Sequence, residues 1–433
     1  MLTEQIYKLF LQSSGINTDT RKELNNSIFF ALKGDHFDGN SYVENALEGG
    51  CKLAITERKE LDGKPGVLYV PSCLRMLQEL ARHHRKQLNP RVVAITGSNG
   101  KTTTKELMAA VLSRKFKVAA TMGNLNNHIG VPLTLLAMKD EDVAVVEMGA
   151  NHPGEIAELA AIAVPEAGVI TNVGLAHLEG FGSLQGVLDA KGELYDFLAS
   201  NGGLALVDGS DSTLLKKASE SGAEVRVIGP DGDLMVHAEL RGQSPFLEVE
   251  ITLGGDIHSC NTGLVGSYNL QNMVLAAGVG LYFGVPGEEI AGALSAYRPV
   301  NQRSQLVEGK RNKVVLDSYN ANPSSMREAI GALLSYATSP TMLILGDMAE
   351  LGSASQKEHK ELVKWIGTLD VDRIMLVGTS FSQLCEPSLS TSVFRERIEL
   401  EQHLAAEKPE GYLVLIKGSR LMELEKVAPL LND

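Results

Sequence analysis

Cysteine is scarce in this chain of 433 residues: Cys51, Cys73, Cys260 and Cys385 stand far apart. No two have C-x-x-C spacing, which disfavours a zinc ribbon or a thioredoxin-like redox motif. So thin a supply in a long chain suits a reducing compartment rather than a disulfide scaffold. Long apolar runs are missing too, and no stretch reaches the roughly 18 residues that a membrane span needs. The opening segment MLTEQIYKLFLQSSG brings Glu4 early and lacks both a basic start and a long apolar run. It predicts an amphipathic helix instead of a signal peptide. A cytoplasmic protein with no membrane partner is expected. Positive charge is also in deficit: 40 Lys and Arg face 53 Asp and Glu, a net charge of −13. Nucleic-acid affinity rests on phosphate neutralisation, so a nucleic-acid partner is disfavoured, while a local basic pocket for a phosphorylated small molecule stays open. The 44% hydrophobic and 21% charged content is that of an ordinary globular protein and excludes disorder or a fibrous repeat.

The remaining composition is organised in blocks. Residues 1–88 mix short apolar runs with turn signals, and NSIFFALKGDHFDGNSYVENALEGGCKLAITE reads as strand, loop, helix, strand. The polar stretch ARHHRKQLNP closes this block at Pro90. From Arg91 strands and helices alternate: RVVAIT, DVAVVEM, EAGVITNV and GLALVD read as strands, with PGEIAELAAIA and GVLDAKGELYDFLA as helices. Helices of this length between strands imply right-handed crossovers and a parallel sheet covered on both faces. LMVHAELRGQSPFLEVEITLGG suggests antiparallel strands added at an edge, and SYNLQNMVLAAGVGLYFG a helix with Leu270, Met273, Val274, Ala277 and Leu281 on one face. A second α/β unit near Arg303 has strand candidates KVVLDSY, TMLILGD, RIMLVG and YLVLIKG. The expectation is an α/β protein of three domains: a small N-terminal α/β domain (1–88), a central P-loop-type, mostly parallel sheet with helices on both faces (89–302), and a C-terminal Rossmann-like α/β domain (303–433).

The sharpest local signal is Thr96-Gly97-Ser98-Asn99-Gly100-Lys101-Thr102-Thr103, between a strand and a helix. Glycines let backbone N–H groups turn toward phosphate oxygens, and the helix N-terminus adds partial positive charge. Lys101 can reach the outer phosphates, and a Thr102 or Thr103 hydroxyl can ligate Mg²⁺. Ile95 occupies the first glycine position of the common G-x-x-x-x-G-K-[ST] pattern, so the loop is shorter. Glu147 ends a strand, where α/β sheets place ligand groups, and can hold Mg²⁺ or stand idle. His177 follows another strand, in TNVGLAH, and is either a metal ligand or a satisfied loop histidine. Lys191 sits on a predicted helix, where a lysine is normally a solvated surface residue. GNLNNH, DSYNANP and GDMAELG combine polar residues with turn formers; Asx turns and helix caps explain each alone, yet the last two both follow strands. Gly278-Val279-Gly280 with Gly284 is one residue too long for a dinucleotide fingerprint, and neither H-E-x-x-H nor G-x-S-x-G occurs.

Taken in order, TGSNGKTTT, EMGANHPGEI, ITNVGLAHLEGFGS and the lysine of DAKGEL resemble the ATP-dependent Mur ligases of peptidoglycan synthesis. The phosphate loop is shared with folylpolyglutamate synthases. IFFALKGDHFDGNSYVENALEGG, GNLNNHIGVPLTLL, and DSYNANPSSM with GDMAELG resemble the member that adds D-alanyl-D-alanine, and the D-N-P-R motif of the preceding, diamino-acid-adding member is absent. Thr18-Asp19-Thr20-Arg21 stands where the family often has S-x-D-S-R, and Gly266-Ser267-Tyr268-Asn269 where it often has G-x-H-N.

The resemblance implies that ATP phosphorylates the terminal carboxylate of UDP-MurNAc-tripeptide and that the amine of D-Ala-D-Ala attacks the acyl phosphate. It implies Lys101, Lys191 and His177 as catalytic residues, and Thr102, Glu147, His177 and a carbamylated Lys191 around Mg²⁺. ATP would meet Gly97, Ser98, Asn99, Gly100, Lys101, Thr102, Thr103, Asn272, Arg303 and Asp317. Thr20, Arg21, Asn126, Asn127 and Asp347 would meet the other substrates, with Lys417-Gly418-Ser419 a further candidate and Asn269 near adenine. A monomer whose domains close over the reacting groups is expected. Two alternatives stay open: another ligase of this fold adding a single amino acid to folate or a different muramoyl peptide, and a non-catalytic P-loop regulator.

Overall fold

The computed structural model describes residues 2–34, 37–300, 302–384, 388 and 390–432. Cys385, Asp35 and His36, noted above in the sequence, lie outside the described residues. Three main sheets follow one another along the chain. The first is four-stranded and parallel, in the order Ile16–Asn17, Ile28–Phe30, Leu53–Thr56, Val67–Tyr69. The second has nine strands and the third six. Among the described residues no helix is long and apolar enough to cross a membrane.

The nine-stranded sheet positions the site. Arg91–Thr96 lies between Val143–Glu147 and Ala167–Ile170, parallel to both. The chain first builds outward on one side, with Val118–Ala120 beyond Val143–Glu147, then crosses back to place Ala167–Ile170 on the other. The direction of winding therefore reverses beside Arg91–Thr96, and a crevice opens at the carboxyl ends of these strands, where α/β sheets take ligands. Period-two alternation decides which side chain faces which layer. Val92, Ala94, Ala144 and Val146 join one core, and Val93, Ile95, Val143 and Val145 join the other. The segment from Leu234 adds three strands, antiparallel to one another, at the far edge, with register shifts between Leu240 and Gly242 and between Phe246 and Glu248.

The polar stretch ARHHRKQLNP that closes the N-terminal block is helical through Leu88. It forms the second half of the Cys73–Leu88 helix, which Ser72 caps by accepting from the Arg75 N–H and Asn89 closes in a left-handed conformation. Met76, Leu77, Leu80, Ala81 and His84 recur at helical spacing and are buried, so polar letters on the opposite face masked an amphipathic helix. That face packs into the same apolar cluster as one side of the nine-stranded sheet, so the N-terminal sheet and the central sheet share a continuous core.

In the six-stranded sheet, Lys313–Asp317, Leu413–Lys417, Thr341–Gly346, Arg373–Val377 and Thr391–Phe394 run parallel, and Gln305–Glu308 pairs antiparallel at one edge. Val315, Leu343 and Leu415 face one core, and Val314, Leu316, Ile344 and Ile416 the other. Leu80→Ala, in the shared N-terminal core, is expected to lower stability by about 2–5 kcal/mol. A urea titration checks it, and an unmoved midpoint would show that this helix does not share the central core.

Candidate active site

Two close approaches shape the phosphate loop. Gly97 has φ +140°, and a β-carbon there would lie 2.0 Å from Thr171 Oγ1. Gly100 has φ +76°, and a β-carbon would lie 2.4 Å from Asn272 Oδ1. Only glycine fits both the angles and the space. Between them the loop leans on the segment after Ile170. Ser98 N–H donates to Asn172 O at 3.0 Å and Asn99 N–H to Asn172 Oδ1 at 2.9 Å. Ser98 Oγ and Thr171 Oγ1 donate to Gly174 O and Asn99 O at 3.2 and 2.6 Å. With its back so occupied, the loop presents the first turn of the Lys101–Leu112 helix, where no side chain caps the N-terminus. Those N–H groups and the helix dipole favour an anion.

Lys101 Nζ rests on the Gly97 and Ser98 carbonyls at 2.6 and 3.1 Å. Burial pulls its ammonium down to about 8. Thr102 Oγ1 donates to Glu147 Oε2 at 2.9 Å, and Asn126 Nδ2 to Glu147 Oε1 at 2.8 Å. Glu147, only 1% exposed, is thus held by both oxygens, and its N–H is fixed on Thr121 Oγ1. Lys105, which nothing in the sequence had singled out, is buried beneath: its Nζ donates to Thr121 O at 2.7 Å and lies 3.8 Å from Glu147 Oε2. Burial lowers its pKa as well.

Lys191 overturns the surface reading that its helix position suggests. The Leu184–Asn201 helix buries Val187, Lys191, Leu194 and Leu198 along one face, and Lys191 is 1% exposed. Its Nζ donates to Ala150 O at 3.2 Å and stands 5.2 Å from the centre of the Phe181 ring. Burial, helped by the nearby charge of Lys101, brings it down to about 7. His177, in a left-handed conformation, puts Nδ1 2.7 Å from Glu350 Oε2, and this contact holds the Glu350 carboxyl below its ordinary range.

The facing wall comes from the C-terminal sheet. Asp317 Oδ2 accepts from Lys417 Nζ at 2.5 Å, across two neighbouring strand ends in register. Arg303 stacks on the Tyr319 ring at 3.8 Å, and Arg420 donates to Tyr319 Oη at 3.2 Å. Asn322 Nδ2 donates to Asn99 Oδ1 at 2.7 Å, so this wall touches the phosphate loop itself. Together with His177–Glu350, that contact closes the domains around one cavity of about 680 Å³. The cavity brings together Ser98 to Thr103, Asn126, Asn127, Glu147, His177, Asn272, Arg303 and Asp317. Asn272 braces the loop by accepting from Thr104 Oγ1 at 3.0 Å, and Asn269 accepts from Asn272 Nδ2 at 2.7 Å. Asn127 Oδ1 caps the following helix at the Ile129 and Gly130 N–H groups.

Gly97 and Lys191 are not among the lining residues, and three further candidates lie elsewhere. Thr20 and Arg21 sit on an outer loop of the N-terminal domain, where Arg21 pairs with Asp19 and its side chain is 88% exposed. Asp347 accepts from the Ser380 and Phe381 N–H groups at 2.9 and 3.1 Å, which fixes it inside the C-terminal domain. Besides Lys105, the sequence reading missed Glu350, Tyr319 and Arg420; Tyr319 and Glu350 lie in turn-rich segments after strands, and Arg420 directly follows Lys417-Gly418-Ser419.

The donor set suits Mg²⁺. A hydroxyl and a carboxylate converge beside an anion site, and Mg²⁺ takes one or two carboxylates with phosphate oxygens and waters rather than a dedicated cage. Among the described residues no three His, Cys, Asp or Glu side chains form a preformed cluster. A protonated Lys191 cannot ligate a metal.

Comparison with known proteins places this arrangement. The Mur ligase middle domain model matches residues 95–280, and the Mur ligase, glutamate ligase domain model matches 302–420. The chain is 35% identical over 425 residues to the UDP-N-acetylmuramoyl-tripeptide–D-alanyl-D-alanine ligase of Bacillus subtilis, covering 95% of this chain and 92% of the relative. It is 35% identical over 434 residues to the enzyme of the same name from Escherichia coli, covering 96% and 93%. The crystal structure of MurF from Acinetobacter baumannii superposes with a TM-score of 0.88 at 31% identity, over 99% of this chain and 98% of that one. The Thermotoga maritima MurF ligase in complex with ADP gives 0.85 at 28% identity, over 98% of each. With both family domains matched around the cavity and relatives aligned nearly end to end, the chain belongs to the Mur ligase family.

Proposed function

We propose that this chain uses ATP to join D-alanyl-D-alanine to the terminal carboxylate of UDP-MurNAc-tripeptide, releasing ADP and phosphate, as its similarity to the ligases of that name implies. The observation that carries the site assignment is the meeting of Lys101, Thr102–Glu147 and Arg303 around one cavity whose walls come from two domains. A carboxylate is a poor electrophile, and transferring the γ-phosphoryl to it creates a leaving group. The uncapped first turn at Lys101 and the Lys101 ammonium hold the triphosphate's outer oxygens, and Arg303 faces them from the opposite wall. Thr102 and Glu147 would hold Mg²⁺, whose chemistry there would be to offset the negative charge of the phosphate oxygens. Asn272 and Asp317 flank the nucleoside end. The dipeptide amine then attacks the acyl carbon, the tetrahedral intermediate expels phosphate, and the amine loses a proton.

Lys191 suits carbamylation, because a buried amine brought down to about 7 offers the neutral nitrogen that carbon dioxide needs. The product would be an anion beside Ala150, which lines the cavity. His177 and Glu350 then act as the contact that seats the C-terminal wall. Thr20 and Arg21 remain candidates for the nucleotide sugar, Asn126 and Asn127 for the peptide end, and Asp347, which accepts from the Ser380 and Phe381 N–H groups, for a supporting part in the C-terminal domain. The protein acts in the cytoplasm, as a monomer, on small molecules alone.

ADP release with UDP-MurNAc-tripeptide, with and without D-Ala-D-Ala, tests the reaction directly; turnover requiring the dipeptide and not a single amino acid is expected, and indifference to the dipeptide would overturn it. Lys101→Ala is expected to reduce turnover by about 10³-fold or more, in line with loss of a preorganised cation at developing charge. For Lys191, ¹³C-bicarbonate should give a carbamate carbon signal that vanishes in Lys191→Arg. Because the Lys191 and Lys101 ammoniums are depressed in the folded state, the unfolded chain binds more protons above pH 7, and their contribution to stability rises as pH climbs from about 7 toward the unfolded lysine value. Urea midpoints between pH 7 and 9 should show this rise, weakened in Lys191→Met.

A further inference from the structure

The linker between the central and C-terminal domains carries Arg303 in an unusual backbone. Gln302 and Ser304, on either side of it, both have positive φ, +58° and +52°. Non-glycine residues hold that conformation only where surrounding contacts over-determine it. The contacts at Ser304 form a continuous chain. Tyr268 Oη and Ser304 Oγ lie 2.5 Å apart. Ser304 N–H donates to Asp317 Oδ1 at 3.2 Å, and the other Asp317 oxygen takes Lys417 Nζ, which also reaches Asn320 O at 3.3 Å. Ser304 and Lys417 are buried. Tyr268 is itself seated by the backbone: Gly266 has φ +92°, and a β-carbon there would lie 2.4 Å from the Tyr268 ring. Next to Tyr268 begins the Asn269–Tyr282 helix, with Asn269 and Asn272 at its start.

We propose that Tyr268 is a positioning residue for the nucleotide, acting through the Ser304 hydroxyl to hold the left-handed linker so that Arg303 and Asp317 keep their places in the cavity wall. The chain of contacts runs from the helix that braces the phosphate loop, through the linker, to two strand ends of the C-terminal sheet. It therefore couples the two walls that ATP must bridge. Burial pushes the Tyr268 phenol upward, which keeps the proton that one of the two hydroxyls must share. The inference rests on the reading that Arg303 and Asp317 face ATP.

Steady-state ADP release at saturating acceptor, with Tyr268→Phe, Ser304→Gly and the double variant, tests it. Ser304→Gly removes the hydroxyl but keeps a residue at ease with positive φ. Each single variant is expected to raise KM for ATP about fivefold, the size of one hydrogen bond, with kcat changed less. The double variant should be no worse than the more affected single one, because both remove the same link. Thermal midpoints should stay near that of the unmodified chain. An unchanged KM in Tyr268→Phe, additive losses, or a loss that tracks a falling midpoint would overturn the proposal. Arg303→Ala separates the two levels: if it leaves the KM for ATP untouched, the ATP reading itself fails, whereas a large effect there beside a silent Tyr268→Phe rejects the clamp alone.

Discussion

Thr171 Oγ1 approaches the Gly97 backbone so closely that no β-carbon fits between them, and Asn272 does the same at Gly100. These two approaches pin the phosphate loop against the segment that follows one neighbouring strand and against the helix that begins at Asn269. The rest of the site depends on that. Once the loop's back is bonded to Asn172 and Gly174, the first turn of the next helix turns its N–H groups outward. The same turn then carries Thr102 onto Glu147, at the end of the adjacent strand. A larger residue at either glycine would displace not one group but the whole register of donors.

Around this fixed loop the protein buries cations. Lys101, Lys105 and Lys191 all have lowered ammonium pKa values, with burial the first cause in each. Burying a charge is unfavourable unless a partner compensates. Lys105 has Glu147 close by, and Lys101 has two carbonyls. Lys191 has one carbonyl and an aromatic face, and it feels Lys101 as a like charge. An environment of this kind favours either a neutral amine or an added negative group. A site that handles phosphate and carboxylate gains from such poised cations, because the attraction is strongest where water is excluded.

Much of this was legible along the chain because the physics behind it is local. Glycine spacing, a preceding β-branched run and a following apolar helix period all lie within a few residues of Lys101. The strand-end position of Glu147 and the antiparallel edge after Leu234 follow from alternation alone. Helix position alone would make Lys191 a surface lysine, and only the family likeness singled it out; its burial comes from the packing of its helix and from Phe181 beside it. ARHHRKQLNP showed along the chain only as a polar boundary, because its buried partners include the central domain's core. Tyr319, Glu350 and Arg420 carry no spacing signal, since each acts on a residue far away in sequence.

The sequence by itself determined the alternation of strands and helices, the loop that can accept phosphate, and the family likeness, because each is written in short-range periodicity, backbone freedom and motif order. Only the tertiary structure decided that Asn322 meets Asn99, that His177 meets Glu350, and that Asp317 and Lys417 share one wall. It also decided that Asp347 supports a backbone turn inside its own domain. Those outcomes depend on how strand order winds and, for the first two, on how one domain meets another, and contacts between residues tens to hundreds of positions apart leave no periodic trace in the chain.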